Sequence, residues 1–343
     1  MATAGYGPPM PIRVAVIGAG SWGTTVAALA SQNTPTVLWA RRPELAAEIS
    51  RDHRNSEYLA AYELPEALES TDSLEEAAGS ADVLVMGVPS HGMRATLQEM
   101  APHVRPWIPV VSLAKGLEQD THLRMTQVIS EELPGHPVGA LTGPNLAQEI
   151  LSGHAAATVV AFSDDHIAGE LQRIFASELF RVYTNADVVG CEVAGALKNV
   201  IAIASGMADG LGTGDNTRAA VITRGLAELS RLGMAMGGEL LTFAGLAGMG
   251  DLVATCISHQ SRNRYVGEQL GKGHTIDEIV AEMKMVAEGI KTSKVTVEVA
   301  EKYGVDMPIA QEVYQVVHEG RSAADAYRGL LRRASGAETD GMG

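Results

Sequence analysis

Cys191 and Cys256 are the only cysteines in 343 residues, too few for a disulfide framework or a paired-cysteine metal site. The 10 histidines include no H-x-x-x-H or H-E-x-x-H spacing, so no metal site is expected. Positive charge is also scarce. The 26 Lys and Arg residues against 41 Asp and Glu leave a net charge of −15, which argues against nucleic acid or an anionic membrane surface as partner. An anionic substrate would need a local basic cluster working against that field. Apolar segments are broken by Gly and polar residues before the ~18 needed to span a bilayer. The start, MATAGYGPPMP, lacks the basic residues and long apolar core of a signal peptide. A soluble cytoplasmic protein with no membrane insertion is the expectation, with residues 1–10 and 334–343 as flexible ends.

What is present is a chain with two textures. The apolar fraction of 46% and the length suit about two packed domains. In the first half, short apolar runs alternate with helix-like segments: Arg13–Ile17, Thr36–Trp39, Val83–Val88, Val110–Leu113, Val138–Leu141, Thr158–Phe162 and Phe180–Tyr183. Continuous apolar strands separated by helices indicate an α/β domain with a doubly wound, parallel sheet buried on both faces. After about residue 188, helical patterns take over at 190–210, 217–233, 238–247, 262–271, 276–284, 289–303 and 308–333. Thr275-Ile-Asp-Glu278 has capping-box spacing. The expected division is 11–188 for a dinucleotide-binding domain and 189–333 for an all-helical substrate domain.

Gly18-Ala-Gly20-Ser21-Trp22-Gly23 follows the first strand and opens an Ala-rich helix. In that position a GxGxxG turn can cradle a pyrophosphate on free N–H groups and the helix dipole. The second strand ends in Arg41-Arg42 rather than the Asp or Glu that binds NAD ribose hydroxyls. A guanidinium suits the 2′-phosphate of NADPH, with NADH as the alternative donor; two solvated arginines opening a loop is the other reading.

One apolar helix candidate, VAGALKNVIAIA from Val193 to Ala204, is interrupted only by Lys198 and Asn199. A buried ammonium must be paired, shifted in pKa, or functional; otherwise it snorkels to water. Other segments carry further candidates. Lys115 stands just past a strand end, and Leu141-Thr-Gly143-Pro-Asn145 ends another strand. Asp251 is a lone carboxylate in a Gly/Met run, either a ligand-facing acid or a helix N-cap. Ser261-Arg262-Asn263-Arg264 opens a helix, either as an anion site or as an exposed helix start.

Together the segments GAGSWG (18–23), VPSH (88–91), AKGLE (114–118), TGPN-A (142–147), GALKNVIAIASG (195–206), GDN-RAAVITRG (214–225), GMGDLVATC (248–256), SRNR (261–264) and VAEG (286–289) resemble the NAD(P)-dependent glycerol-3-phosphate dehydrogenases of the bacterial biosynthetic type. The resemblance runs from about residue 12 to 332. It implies a Rossmann-like domain and a helical domain like the C-terminal part of 6-phosphogluconate dehydrogenase. It also implies interconversion of dihydroxyacetone phosphate and sn-glycerol 3-phosphate for phospholipid synthesis, and a homodimer. By the same resemblance, Lys198 is the proton-transfer residue, joined in the catalytic set by Lys115 and Asp251. Lys115, Gly143, Asn145, Lys198, Asp251, Ser261, Arg262 and Asn263 fall at substrate positions. Gly18, Gly20, Ser21, Trp22, Gly23, Arg41, Arg42, Lys115, Ala147, Arg262, Val286 and Glu288 fall at cofactor positions. Asn145 departs from the Ser or Thr common in the family. A sibling dehydrogenase with another small phosphorylated or acidic substrate, or a non-catalytic NADP sensor, are the alternatives.

Overall fold

A computed structural model describes residues 11–283 and 287–332. The expected flexible ends, 1–10 and 334–343, lie outside the described residues. The first part runs β1 (Val14–Ile17), α1 (Ser21–Ser31), β2 (Thr36–Trp39), α2 (Pro43–Asp52), β3 (Leu68–Thr71), α3 (Leu74–Ser80), β4 (Val83–Met86), α4 (Ser90–Met100), β5 (Val110–Ser112), α5 (Met125–Glu132), β6 (Val138–Thr142), α6 (Ala147–Leu151), β7 (Ala156–Ala161), α7 (Asp165–Phe175) and β8 (Phe180–Asn185). The strands form one sheet in the order β3-β2-β1-β4-β5-β6-β7-β8. One apolar layer, with Val16, Leu38 and Val85, packs under α1, α2 and α7. The other, with Ile17, Leu84 and Met86, packs under α3, α4 and α5. The sheet is thus a Rossmann-like doubly wound one. Its strand order reverses between β1 and β4, where such sheets open a crevice for ligands at the carboxyl ends of the strands.

Two features depart from the sequence reading. β3, LEST, was not anticipated, because only Leu68 in it is buried and its pattern carries no apolar run. The sheet is also not wholly parallel: β7 runs antiparallel to β6, and β8 parallel to β7. β8 alternates buried Phe180 and Val182 with exposed Arg181 and Tyr183, as an edge strand should.

From α8 (Val188–Gly210) onward the chain is helical: α9 (Asp215–Ala235), α10 (Leu240–Ala244), α11 (Asp251–Ile257), α12 (Arg262–Gly271), α13 (Ile276–Glu282), α14 (Glu288–Tyr303), α15 (Pro308–His318) and α16 (Ala323–Arg332). The Thr275 capping box forms at α13. The expected helix over 308–333 is two helices, because the chain reverses through Gly320 at φ 73°. The expected helix over 238–247 is also shorter. α10 ends at Ala244, and a single π-helical turn, Leu246–Gly250, feeds into α11. Such turns recur at functional sites because they re-aim the side chains that follow.

α8 is the axis of this part. Asp187 caps its start, accepting the Gly190 N–H at 2.7 Å. By length and hydropathy α8 could cross a membrane, contrary to the expectation that no segment would; in this fold it is a core helix with 89% of its most apolar window buried. α12 crosses it at backbone distance. A methyl group on Gly267 would fall onto the Ile203 carbonyl and within 2.8 Å of the Met207 nitrogen, both rigid backbone atoms. Gly267→Ala should therefore destabilise by about 1–3 kcal/mol or more. A thermal melt reads this as a lowered Tm; an unchanged Tm would show that the helices can separate without cost.

Candidate active site

The carboxyl end of β1 leads into the glycine turn. Gly18 has φ 119°, and a Cβ there would sit 2.9 Å from the Gly87 carbonyl at the end of β4. Its N–H donates to the Trp39 carbonyl at 3.1 Å, which ties the turn to the end of β2. Gly20 faces open space, with no atom within 4 Å of where a Cβ would be. α1 begins at Ser21 with no side-chain cap, so its first N–H groups and the dipole remain available to an anion. The Trp22 indole nitrogen is buried with no partner, its ring 6.5 Å from that of Phe180. Gly23 packs against Gly18. These features fit a dinucleotide pyrophosphate. Arg41 and Arg42 follow β2, both exposed, and Arg42 forms an ion pair with Glu57.

The candidate catalytic groups meet where the helical part faces the sheet's carboxyl edge. Lys198, on α8, is only 5% exposed. Its ammonium donates to Asp251 Oδ1 and, at 2.6 Å, to the Thr255 hydroxyl. Lys115, in the loop after β5, donates to the other oxygen of the same carboxylate at 2.7 Å and to the Gly143 carbonyl at 2.8 Å. Asp251 is thus a buried carboxylate shared by two lysines, one from each part of the chain. It is the first residue of α11, but its side chain serves the lysines rather than the helix end. Burial lowers the Lys198 pKa to about 8; Asp251 opposes the shift and Lys115 adds to it.

Arg262 and Glu288 belong to this neighbourhood. Burial raises the Glu288 pKa, and the fields of Arg262, Lys115 and Lys198 pull it back. Arg262 is exposed at the start of α12. Ser261 caps that helix, accepting the Arg264 N–H at 3.2 Å. Asn263 is held from two sides: its Nδ2 donates to Asn199 Oδ1 and its Oδ1 accepts the Gly289 N–H, both at 2.9 Å. Arg264 is buried and engaged with Asp209 at 2.9 Å, so it braces the helix rather than opening it to an anion.

The turn after β6 completes the wall. Asn145 Nδ2 donates to the Thr158 hydroxyl at 3.0 Å, and that hydroxyl donates to the Thr142 carbonyl at 2.9 Å. Since the Thr158 proton is committed, the amide must turn its NH₂ toward Thr158. Asn145 Oδ1 is left buried with no partner, an acceptor waiting for a donor. Ala147 starts α6 beside it. Val286 lies outside the described residues.

Known proteins match this arrangement along nearly the whole chain. Residues 13–168 match the family model for the NAD-dependent glycerol-3-phosphate dehydrogenase N-terminus, and residues 187–328 that for its C-terminus. Glycerol-3-phosphate dehydrogenase (NAD(P)+) 2 of Sphingopyxis alaskensis is 56% identical, over 96% of this chain and 99% of its own. The chain belongs to the NAD-dependent glycerol-3-phosphate dehydrogenase family. A crystal structure of glycerol-3-phosphate dehydrogenase from Coxiella burnetii superposes with TM-score 0.90 at 34% identity, covering 95% of this chain and 100% of that one. One from Saccharomyces cerevisiae gives 0.83 at 29% identity, over 93% and 99%. The protein is accordingly an NAD(P)-dependent oxidoreductase with a Rossmann-like N-terminal and a helical C-terminal part.

Two residues of this dehydrogenase's cluster, Thr255 and Thr158, have no role assigned from the sequence. Thr255 holds the Lys198 ammonium and accepts no credit from composition, yet it stands four residues after Asp251, on the same face of α11. Thr158 sets the Asn145 amide from a neighbouring strand, a relation that only the β6–β7 pairing creates.

Proposed function

We propose that the protein reduces dihydroxyacetone phosphate to sn-glycerol 3-phosphate with NADPH, reversibly, and that Lys198 carries the proton. The observation behind this reading is the buried Lys198–Asp251–Lys115 cluster. The bound nicotinamide would supply a hydride to the carbonyl carbon. That leaves negative charge on the carbonyl oxygen, which the Lys198 ammonium stabilises and then neutralises by giving up its proton. With a pKa of about 8, Lys198 can do this near neutral pH and can also take the proton back from the alcohol. Asp251 keeps Lys198 charged and aimed, and Lys115 adds a second positive charge. In a chain of net charge −15, these lysines with Arg262 supply the local cationic field that a phosphorylated ketone needs. Arg262, Ser261 and Asn263 are assigned to the substrate phosphate, and the open acceptor of Asn145 to a substrate hydroxyl. Gly143 positions Lys115 through its carbonyl.

Gly18, Gly20, Ser21, Trp22, Gly23, Ala147 and Glu288 are assigned to the cofactor. Arg41 and Arg42 read the 2′-phosphate. Arg42 already faces Glu57, so Arg41 should carry more of the preference. Arg41→Ala is expected to lower the NADPH/NADH ratio of kcat/KM by about tenfold or more, from loss of a charged hydrogen bond. Steady-state assays with both cofactors check this, and an unaltered ratio would remove Arg41 from the site.

The proposed domain division is 11–188 and 189–333, in a cytoplasmic homodimer supplying phospholipid synthesis. Absorbance-monitored NADPH oxidation tests the reaction. Rapid turnover with dihydroxyacetone phosphate and little with unphosphorylated dihydroxyacetone is expected. No turnover by folded, NADPH-binding protein would overturn the reading.

A further inference from the structure

We propose that Glu192 is a positioning residue for proton transfer: with Arg124 it locks the helix bearing Lys198 to the loop bearing Lys115. The proposal rests on Lys198 being the proton carrier. The loop from β5 to α5 folds back on itself, with Leu117 paired to Arg124 and the Glu118 N–H donating to the Leu123 carbonyl at 2.9 Å. Its near end is gripped from the sheet side. Arg94 of α4 makes a two-pronged contact to the Glu118 carboxylate at 2.8 and 2.7 Å. Its far end is gripped from the helical side. Arg124 donates to Glu192 Oε2 at 2.6 Å.

Glu192 does more than pair. Its Oε1 accepts the Thr126 N–H at 2.9 Å, and the Thr126 hydroxyl also donates to the carboxylate. The carboxylate therefore sits at the N-terminus of α5, where the helix dipole favours negative charge. Glu192 is 7% exposed, so water offers little competition at this joint. Two apolar residues would pack such a boundary at least as stably. What an ionic pair with three donors adds is a fixed register.

The register matters because of what each element carries. Glu192 and Lys198 lie on one continuous helix, six residues and about 9 Å apart along its axis. Lys115 stands nine residues before Arg124, and its ammonium must reach Asp251 Oδ2. Slippage at Glu192 would move Lys115 relative to the Asp251–Lys198 pair. A displacement of about 1 Å can cost roughly a hundredfold in rate.

The test compares Glu192→Gln, Arg124→Gln and the double variant with wild type. The readouts are kcat, KM, NADPH binding, the pH profile and Tm. Each single variant is expected to lower kcat by about tenfold or more, with NADPH affinity within about twofold of wild type. The alkaline limb of the profile should move. The double variant should be no slower than the slower single one. Wild-type kcat and an unmoved limb in folded variants, even with lowered Tm, would make the pair merely structural and overturn the proposal; so would losses that multiply. Arg124 is less buried than Glu192, so Arg124→Gln decides on the same readouts if Glu192→Gln does not fold. Lys198→Ala, run in parallel, separates the failures. Retained turnover there refutes the proton-carrier reading, whereas an inactive Lys198→Ala beside an unaffected Glu192→Gln refutes only the positioning role.

Discussion

Lys198→Ala should lose about 10²–10⁴-fold in turnover while the folded protein still binds NADPH. The size follows from two effects in one group. In the proposed reaction the ammonium stabilises the developing oxyanion and delivers the proton that completes the alcohol. Nothing beside it replaces both functions. Lys115 is committed to the Gly143 carbonyl and to the far oxygen of Asp251. Thr255 offers only a hydroxyl whose proton goes to the Asp251 backbone carbonyl at 2.7 Å. Folding should survive, because Asp251 keeps Lys115 as its counter-ion and removing a buried ammonium also removes its desolvation cost. Cofactor binding is read by fluorescence titration and turnover by NADPH oxidation. Turnover within a few-fold of wild type, by about the scatter of such assays, would remove Lys198 from the chemistry.

Asp251→Asn should be nearly as damaging, and by a route that can be told apart. The substitution keeps the shape but leaves two ammonium groups facing each other without their shared carboxylate. Breaking a buried ion pair from one side costs about 3–5 kcal/mol in the general case. Here the loss should be smaller, because Lys198, already at about 8, relieves the repulsion by giving up its proton. The kinetic signature is therefore sharper than the thermal one. Asp251 raises the Lys198 pKa, so its removal lowers it further, and Lys198 becomes neutral at neutral pH. Reduction needs the protonated form. Its rate should fall at neutral pH and recover in part as the pH is lowered. A uniform loss at every pH would instead assign Asp251 to substrate binding alone.

The placement of these groups shows what a sequence carries and what it hides. A lysine and an asparagine in an otherwise apolar helix are conspicuous because burial of a charge is costly, and the structure buries both. Glu192 breaks the same helix six residues earlier, but it stands just before the apolar run that makes Lys198 conspicuous. Its partner Arg124 is 68 residues away, so only the fold discloses the joint. Arg264 shows the reverse error. Next to Arg262 it reads as an anion ligand, yet helical spacing turns it inward to Asp209. β3 was illegible because a short edge strand with one buried residue has no apolar signature. The antiparallel turn into β7 was illegible for a different reason: strand direction is set by the connection through α6, not by the strand's own residues. The glycine turn, by contrast, was legible because few residues other than glycine tolerate φ 119° against a neighbouring backbone.

The most direct measurement is the pH dependence of kcat/KM for ketone reduction in the wild-type protein and in Asp251→Asn. The wild type should hold a plateau below about 8 and decline above it, as Lys198 loses its proton. In Asp251→Asn the decline should begin at lower pH. A wild-type profile flat through 8, or a limb that Asp251→Asn leaves in place, would contradict Lys198 as the proton donor.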